Sequence, residues 1–521
     1  MNHEADATEV IDPTYQTHQT QQTSRASAAL AIAAAIAAFV VGVRWGTNAA
    51  GGSDSSCYMN EARLFSRFTT HIDAPLAVSA PWPRAAWTFT PAGHLPSPAR
   101  AGAIVPMCPP GLPLVMAIAR WVHADLLVVP LLGALTVWLT FLLGRQIDGS
   151  LTGAASAVLM ACSPIFLYQV VQPMTDVPAA AWWLLVAVLV SDVSDVSDVS
   201  DTRRRGAFAA GLAASMAMLT RPNLLPLAIV VAIYLGRRSV ASFAAGLVPG
   251  IVVLALLNWR MYGSPLASGY GAASDLFQIG NVAANVQRYL RWLWESHTPV
   301  LALAIAAPFV VARRAPAWLA LALASATVVL YLPYRVFDDW WYIRFLLPAI
   351  PFLVVLSVGA VRGLVGRASR RAEPVVVGLL AALLAALWVQ TARTRHVFEL
   401  RDWERHFIDA GRFAADRLPR AAAVLTVKHS GSVHYYAGRP IVAWDTLDPA
   451  SLDRTLAFLR EHGLVPMLLL DTEEEPVFRA RFGAASEIGR LDWPPIERPA
   501  RTVRAYDPAD RARYWSKIPR R

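Results

Sequence analysis

The chain has 521 residues, 55% of them hydrophobic and only 16% charged, with a formal net charge of +10. A soluble protein carries about 25% charged residues. Here the apolar residues fall in long blocks without ionisable side chains, which excludes a water-soluble globular fold in favour of a polytopic membrane protein. Arginines gather between those blocks, where they set orientation, so the positive charge does not argue for a nucleic-acid partner.

Residues 1–25 are polar, lack the basic segment of a cleaved signal peptide, and read as a disordered cytoplasmic tail. Spans are predicted at 26–43, 126–144, 151–171, 177–190, 206–220, 222–236, 239–258, 299–312, 315–334, 345–361 and 374–391, about eleven by the apolar-window criterion. The expected fold is therefore an all-α transmembrane domain over 26–391. A loop at 44–125 separates the first two spans and is rich in Pro, Trp and Arg. Within it PPGLPLVMAIARWV (109–122) falls short of the roughly 20 apolar residues that a crossing needs, so it reads as a helix on the membrane surface. The repeat SDVSDVSDVSDTRRR after 190 reads as a solvated linker. Spans 206–220 and 222–236 are too short to reach full bilayer depth together. The intervening Arg221 is expected below the outer surface, facing protein or water.

With the N-terminus inside, the inner loops hold Arg145, Arg203 to Arg205, Arg237, Arg238, Arg313, Arg314 and the arginines of 362–371. The outer loop 172–176 has no basic residue, as the positive-inside rule asks. Asp54, Asp176, Arg221 and the loops 259–298 and 335–344 then share the outer side. The remainder, 392–521, is polar, with apolar runs at 421–427, 440–444 and 465–471 and helical periodicity over 450–462. It reads as a small α/β domain on the same side as Asp54. No glycine-rich phosphate loop occurs there, so no nucleotide or other cofactor is assigned.

Asp54 stands in the turn GGSDSSCYMNEARLF, where the chain leaves the first span, with Glu61 and Arg63 following on a helical segment. It serves either as a helix-start acid or as a general base, which needs a carboxylate. Asp176 in VQPMTDVP has the same two readings ahead of Pro178. Arg221 is costly at membrane depth unless paired; a lipid phosphate or Asp176 would both suit. In YRVFDDWWYIRF the aromatics read as an interfacial belt, leaving Arg335 and Arg344 as candidate anion ligands. NWRMYGSPLASGYG, with Tyr262 and Ser264, suits the lining of a sugar or lipid groove. His429 and His434 in KHSGSVHYYAG are expected at the surface of the C-terminal domain. Cys57, Cys108 and Cys162 show no metal-ligand spacing; Cys57 and Cys108 share a loop but are expected as free thiols.

The succession SDSSCYMNEARLF, PPGLP, SPIFLYQVVQPMTDVP, LTRPNLLPLA, NWRMYGSPLASGYG and WWYIRFLLPAIPF resembles the GT-C superfamily of integral-membrane glycosyltransferases. Its nearest branch looks like the bacterial relatives of dolichyl-phosphate-mannose protein mannosyltransferases and of the lipid A aminoarabinose transferase. The resemblance covers 26–391. It implies an inverting transfer at the outer face of the bacterial cytoplasmic membrane, from a polyprenyl-phosphate sugar to a hydroxyl on a glycan, lipid or protein acceptor. Asp54 would be the base and Asp176 the second acid. Glu61, Arg221, Tyr262, Ser264, Arg335 and Arg344 would contact substrate. Relatives often carry Lys-Gly where Arg221-Pro222 stands, and paired acids where Ser53 and Ser55 flank a lone Asp54, so no metal is expected. Two other classes compete. A lipid-linked saccharide transporter or flippase requires related halves with paired broken helices, of which only the break at Arg221 is visible. A non-catalytic subunit would use its outer domain to recruit partners, with Asp54 only capping a helix.

Overall fold

The computed structural model describes residues 13–193 and 200–517. Among them six helices are long and apolar enough to cross a membrane: Ser24–Arg44, Asp125–Asp148, Val240–Tyr262, Arg314–Tyr331, Ile350–Ala368 and Glu373–Thr394. The helices Asp176–Val193, Ser200–Thr220 and Leu227–Leu235 occupy three further predicted positions. The first helix begins at Pro13, so the part of the expected tail that is described is helical rather than disordered. A helix already nucleated extends at the gain of one hydrogen bond per residue fixed. Residues 1–12 of that tail, and 194–199 of the predicted linker, lie outside the described residues.

Two predicted spans are bent. The stretch 151–171 divides into Ser150–Cys162 and Pro164–Val170, inclined by 61°. Ser163 takes an extended conformation there, and its side chain accepts from the Phe166 N–H ahead of a proline at the first helical position, the chemistry of a new helix start. The span expected at 299–312 follows the helix Ile279–His297 after a 104° bend. Thr298 has φ of +60° and Pro299 comes next. The bends meet: Ser163 Oγ lies 2.8 Å from His297 Nε2, both fully buried. A third break follows Thr220, where Arg221 is extended and Pro222 opens a short 3-10 turn.

The loop 44–125 folds against the C-terminal domain. Within the loop, β1 (Ile72–Asp73), β2 (His94–Pro96) and β3 (Ala103–Pro106) form an antiparallel sheet with β3 central. The C-terminal sheet contains β4 (Ala422–Leu425), β5 (Ile441–Val442), β6 (Val465–Asp471), β7 (Glu497–Ala500) and β8 (Val503–Tyr506), in the order β5-β4-β6-β8-β7. Strands β5, β4 and β6 are parallel and coincide with the three apolar runs; β8 and β7 add antiparallel. Trp82, Ala85 and Phe89 of the loop are buried in the core built by Phe458, Leu468, Phe478 and Trp493. The Thr88 carbonyl accepts from the Ala443 N–H at 2.7 Å. The two regions therefore share one interior.

The helix Asp54–Phe65 runs between these layers. The segment Gly111–Arg120, expected as a surface helix, packs on it and on the end of Ser200–Thr220, with Ile118, Trp121 and Val122 exposed on its outer side. This packing brings Cys57 and Cys108 to a Cα separation of 6.3 Å, where they form a disulfide. The expectation of free thiols is corrected: the pairing depends on a helix–loop contact that cysteine spacing does not encode. Cys162 is the one free cysteine. Maleimide labelling of the denatured chain should therefore modify a single thiol without reductant and all three after reduction. Three labelled thiols without reductant would contradict the pairing.

Candidate active site

A cavity of about 420 Å³ opens where the exit helix, the break at Arg221 and the loop after Tyr262 converge. Asp54, Tyr58, Thr175, Arg221 and Tyr331 supply its polar wall. Leu254, Leu266, Leu276, Phe277 and Phe345 supply an apolar one, and residues 265–271 form a rim.

Asp54 is the first residue of its helix, with Ser53 at the cap position and no side-chain capping bond. The helix-start reading of Asp54 thus fits its position, while the cap itself is Ser53. Oδ2 instead accepts from Arg344 at 2.7 Å, with the Asp54 side chain 39% exposed and that of Arg344 14%. The first-turn position still favours the negative charge through the helix dipole. Arg344 is held from below by Phe345 and Tyr342, with its guanidinium carbon 5.3 and 5.5 Å from their ring centres.

Asp176 is fully buried, and its Oδ1 accepts from Arg221 at 2.5 Å. Arg221 donates its other terminal nitrogen to the Tyr331 hydroxyl at 2.7 Å. Its guanidinium also lies 5.6 Å from the centre of Phe345, so this one ring contacts both arginines. Neither guanidinium is saturated: among the described residues the buried Nε of Arg221 and of Arg344 have no partner, and the same holds for Asp176 Oδ2. Two carboxylates and two arginines thus lie together, Asp54 and Arg221 lining the cavity with Asp176 and Arg344 behind them. Tyr58 joins them, its hydroxyl 3.1 Å from Thr175 Oγ1. Burial, with the nearby Asp54 charge adding, pushes its phenol well above the ordinary range, so it stays a neutral donor.

The structure brings Asp54, Asp176, Arg221, Arg344 and Tyr262 together. Tyr262 lines the cavity and donates to the Pro106 carbonyl at 2.8 Å. Three expected contacts lie elsewhere. Glu61 points away from the cavity, fully buried beside the Cys57–Cys108 disulfide, with neither oxygen partnered among the described residues; burial drives its carboxyl well above the usual range. Ser264 turns its hydroxyl to the Leu266 N–H within the rim. Arg335 is exposed, 6.0 Å from the Phe337 ring centre. Sequence reasoning missed Tyr58, Tyr331 and Phe345, which helical and belt periodicity had made look like ordinary packing. The only signal for Tyr58 was its place one helical turn after Asp54.

The Asp176–Arg221 pair carries a stability consequence. Removing one partner of a buried pair costs about 3–5 kcal/mol, whereas replacing both with apolar groups is near neutral. Asp176→Leu should therefore lower the unfolding midpoint in detergent sharply, and adding Arg221→Met should restore much of it. Equal loss in the single and double variants would contradict a net internal pair.

Residues 109–261 match the family model described as dolichyl-phosphate-mannose-protein mannosyltransferase. The whole fold is similar to the crystal structure of ArnT from Cupriavidus metallidurans in the apo state, with TM-score 0.59 and 16% identity over 92% of this chain and 97% of that one. The same protein bound to undecaprenyl phosphate gives 0.58 and 15% over the same shares. The archaeal oligosaccharyltransferase AglB from Archaeoglobus fulgidus, in complex with an inhibitory peptide and a dolichol-phosphate, gives 0.54 and 13% over 89% of this chain and 71% of that one. No curated protein sequence matches the chain. The chain thus has the fold of these solved membrane proteins, and residues 109–261 within that fold match the mannosyltransferase family model.

Proposed function

We propose that this protein transfers a sugar, with inversion, from a polyprenyl-phosphate-linked donor to a hydroxyl acceptor at the outer face of the cytoplasmic membrane. The observation that carries the reading is the Asp54 carboxylate. It opens a helix without capping it and reaches the cavity on the arm of Arg344. A base in this position takes the proton of the acceptor hydroxyl as its oxygen attacks the anomeric carbon. The bond from that carbon to the phosphate oxygen breaks, and the lipid phosphate leaves with the electron pair. One base opposite the leaving group, with no covalent intermediate, inverts the configuration.

Charge grows on the departing phosphate, and preorganised donors stabilise it most where water is excluded. The positive charge of Arg221, which lines the cavity, and of Arg344 beside Asp54 is suited to this, with Tyr331 and Asp176 fixing the Arg221 guanidinium. The apolar wall formed by Leu254, Leu266 and Leu276 suits a prenyl chain. Support for the donor class comes from the similar fold of ArnT, whose structure was solved bound to undecaprenyl phosphate.

Asp54→Asn keeps the size of the side chain and its contact with Arg344 but removes the base. Turnover with a polyprenyl-phosphate sugar should fall by about 10²–10⁴-fold, while binding of the lipid phosphate itself is retained. Undiminished turnover would refute the role given to Asp54.

A further inference from the structure

The C-terminal domain holds a second polar cluster that the proposed reaction does not use. His406 lies on the helix Leu400–Asp416, His429 immediately precedes the helix Ser430–Ala437, and Asp471 ends β6. One ligand atom from each lies within 4.8 Å of the other two. His429 Nε2 is 3.5 Å from Asp471 Oδ2. That is long for a hydrogen bond but close to the separation of neighbouring ligands in tetrahedral zinc, roughly 3.3–3.4 Å for bonds near 2.0–2.1 Å.

His429, expected at the surface, is fully buried, which corrects that reading. Neither of its ring nitrogens has a hydrogen-bond partner among the described residues, and the same holds for His406 Nε2 and Asp471 Oδ2. Unmet polar atoms in such a setting are rare and call for an occupant. His406 is prepared for one. Its Nδ1 is 2.6 Å from the Trp403 carbonyl, which only accepts, so Nδ1 carries the proton and Nε2 turns its lone pair to the cluster. A backbone carbonyl behind the imidazole is how metal-bound histidines are oriented. The competing cation is Lys428, whose ammonium is 3.4 Å from Asp471 Oδ2 but makes its hydrogen bond to Glu473 at 2.5 Å. It leaves both imidazoles unsatisfied.

We propose that His406, His429 and Asp471 bind one divalent transition-metal ion, zinc by the chemistry of its ligands, with solvent completing the coordination. Two imidazoles and a carboxylate suit zinc over calcium or magnesium, which prefer oxygen. The ion would fasten three elements, of which two approach the exit helix and the turn before it. Phe407, next to His406, approaches Gly51, where an added Cβ would come within 2.8 Å of its ring. Gly431, two residues past His429, packs so close to Ser56 that a Cβ would meet its hydroxyl, and its carbonyl accepts from Asn60 at 3.2 Å. The metal is structural, and its site is separate from the cavity at Asp54.

The test uses the full-length chain in detergent, exposed to zinc, freed of excess by gel filtration, and assayed for bound metal by mass spectrometry. The expected result is one zinc per chain in wild type and in Asp54→Asn, and less than about a tenth in His406→Ala/His429→Ala, a loss of at least tenfold in occupancy at this site. Zinc should raise the melting temperature of wild type but not of the double variant. Should that variant misfold, cobalt bound to wild type decides, because tetrahedral nitrogen–oxygen coordination gives an intense visible band. Wild type without stoichiometric metal, an undiminished content in the double variant, or a cobalt spectrum lacking that band would each overturn the site. Loss of metal with glycosyl transfer intact would leave the reading of Asp54 untouched.

Discussion

Two carboxylates and two guanidiniums have to share one region, and within the buried pair, Asp176 with Arg221, neither can be left alone without a cost of several kcal/mol. The solution is pairwise. Asp54 meets Arg344 across 290 residues of sequence and Asp176 meets Arg221 across 45. Each pair ties the start of one helix to a break or turn in another, so satisfying the charges also fixes where the backbone comes to rest. Phe345 lies under both guanidiniums and gives the two pairs a common floor. The cavity is the space that remains once these requirements are met.

The helical breaks serve that arrangement. The turn at Ser163 changes the direction of the chain by 61° before it reaches Thr175 and Asp176. The hydrogen bond between Ser163 and His297 locks this turn to the bend at Thr298. Polar atoms freed where a helix stops inside a membrane must find partners in protein, and here two interruptions satisfy each other.

The apolar helices, though not their number as full spans, and the main charged residues were legible in the sequence because both rest on cost. An apolar block of sufficient length has few destinations, and an Asp or Arg beside one needs a reason. Asp54, Asp176, Arg221 and Arg344 stood out on those grounds and converge in the structure. Side-chain direction was not legible. Glu61 and Arg335 are as close in sequence to Asp54 and Arg344 as real neighbours would be, yet Glu61 turns inward behind a disulfide and Arg335 turns out. The bends at Ser163 and Thr298 escaped because hydropathy measures the length of an apolar run and not the path of its axis. Strands β7 and β8 escaped because four-residue segments such as ERPA and VRAY carry too little periodicity. Burial of His429 escaped because its polar neighbours disguise a tight approach between Gly431 and Ser56 that only the folded chain makes.

The shared interior of the loop 44–125 and the C-terminal domain also sets a timetable for biosynthesis. Asn60 and the Gly431 carbonyl it donates to are 371 residues apart. At a translation rate of about 5–20 residues per second, roughly 20–70 s pass between the appearance of one and of the other. Throughout that interval the exit helix is already past the first span, while Trp82 and Phe89 still have no core to enter. A nascent chain halted after its last span would possess nearly all of its membrane body, with the aromatic face of its loop still unburied.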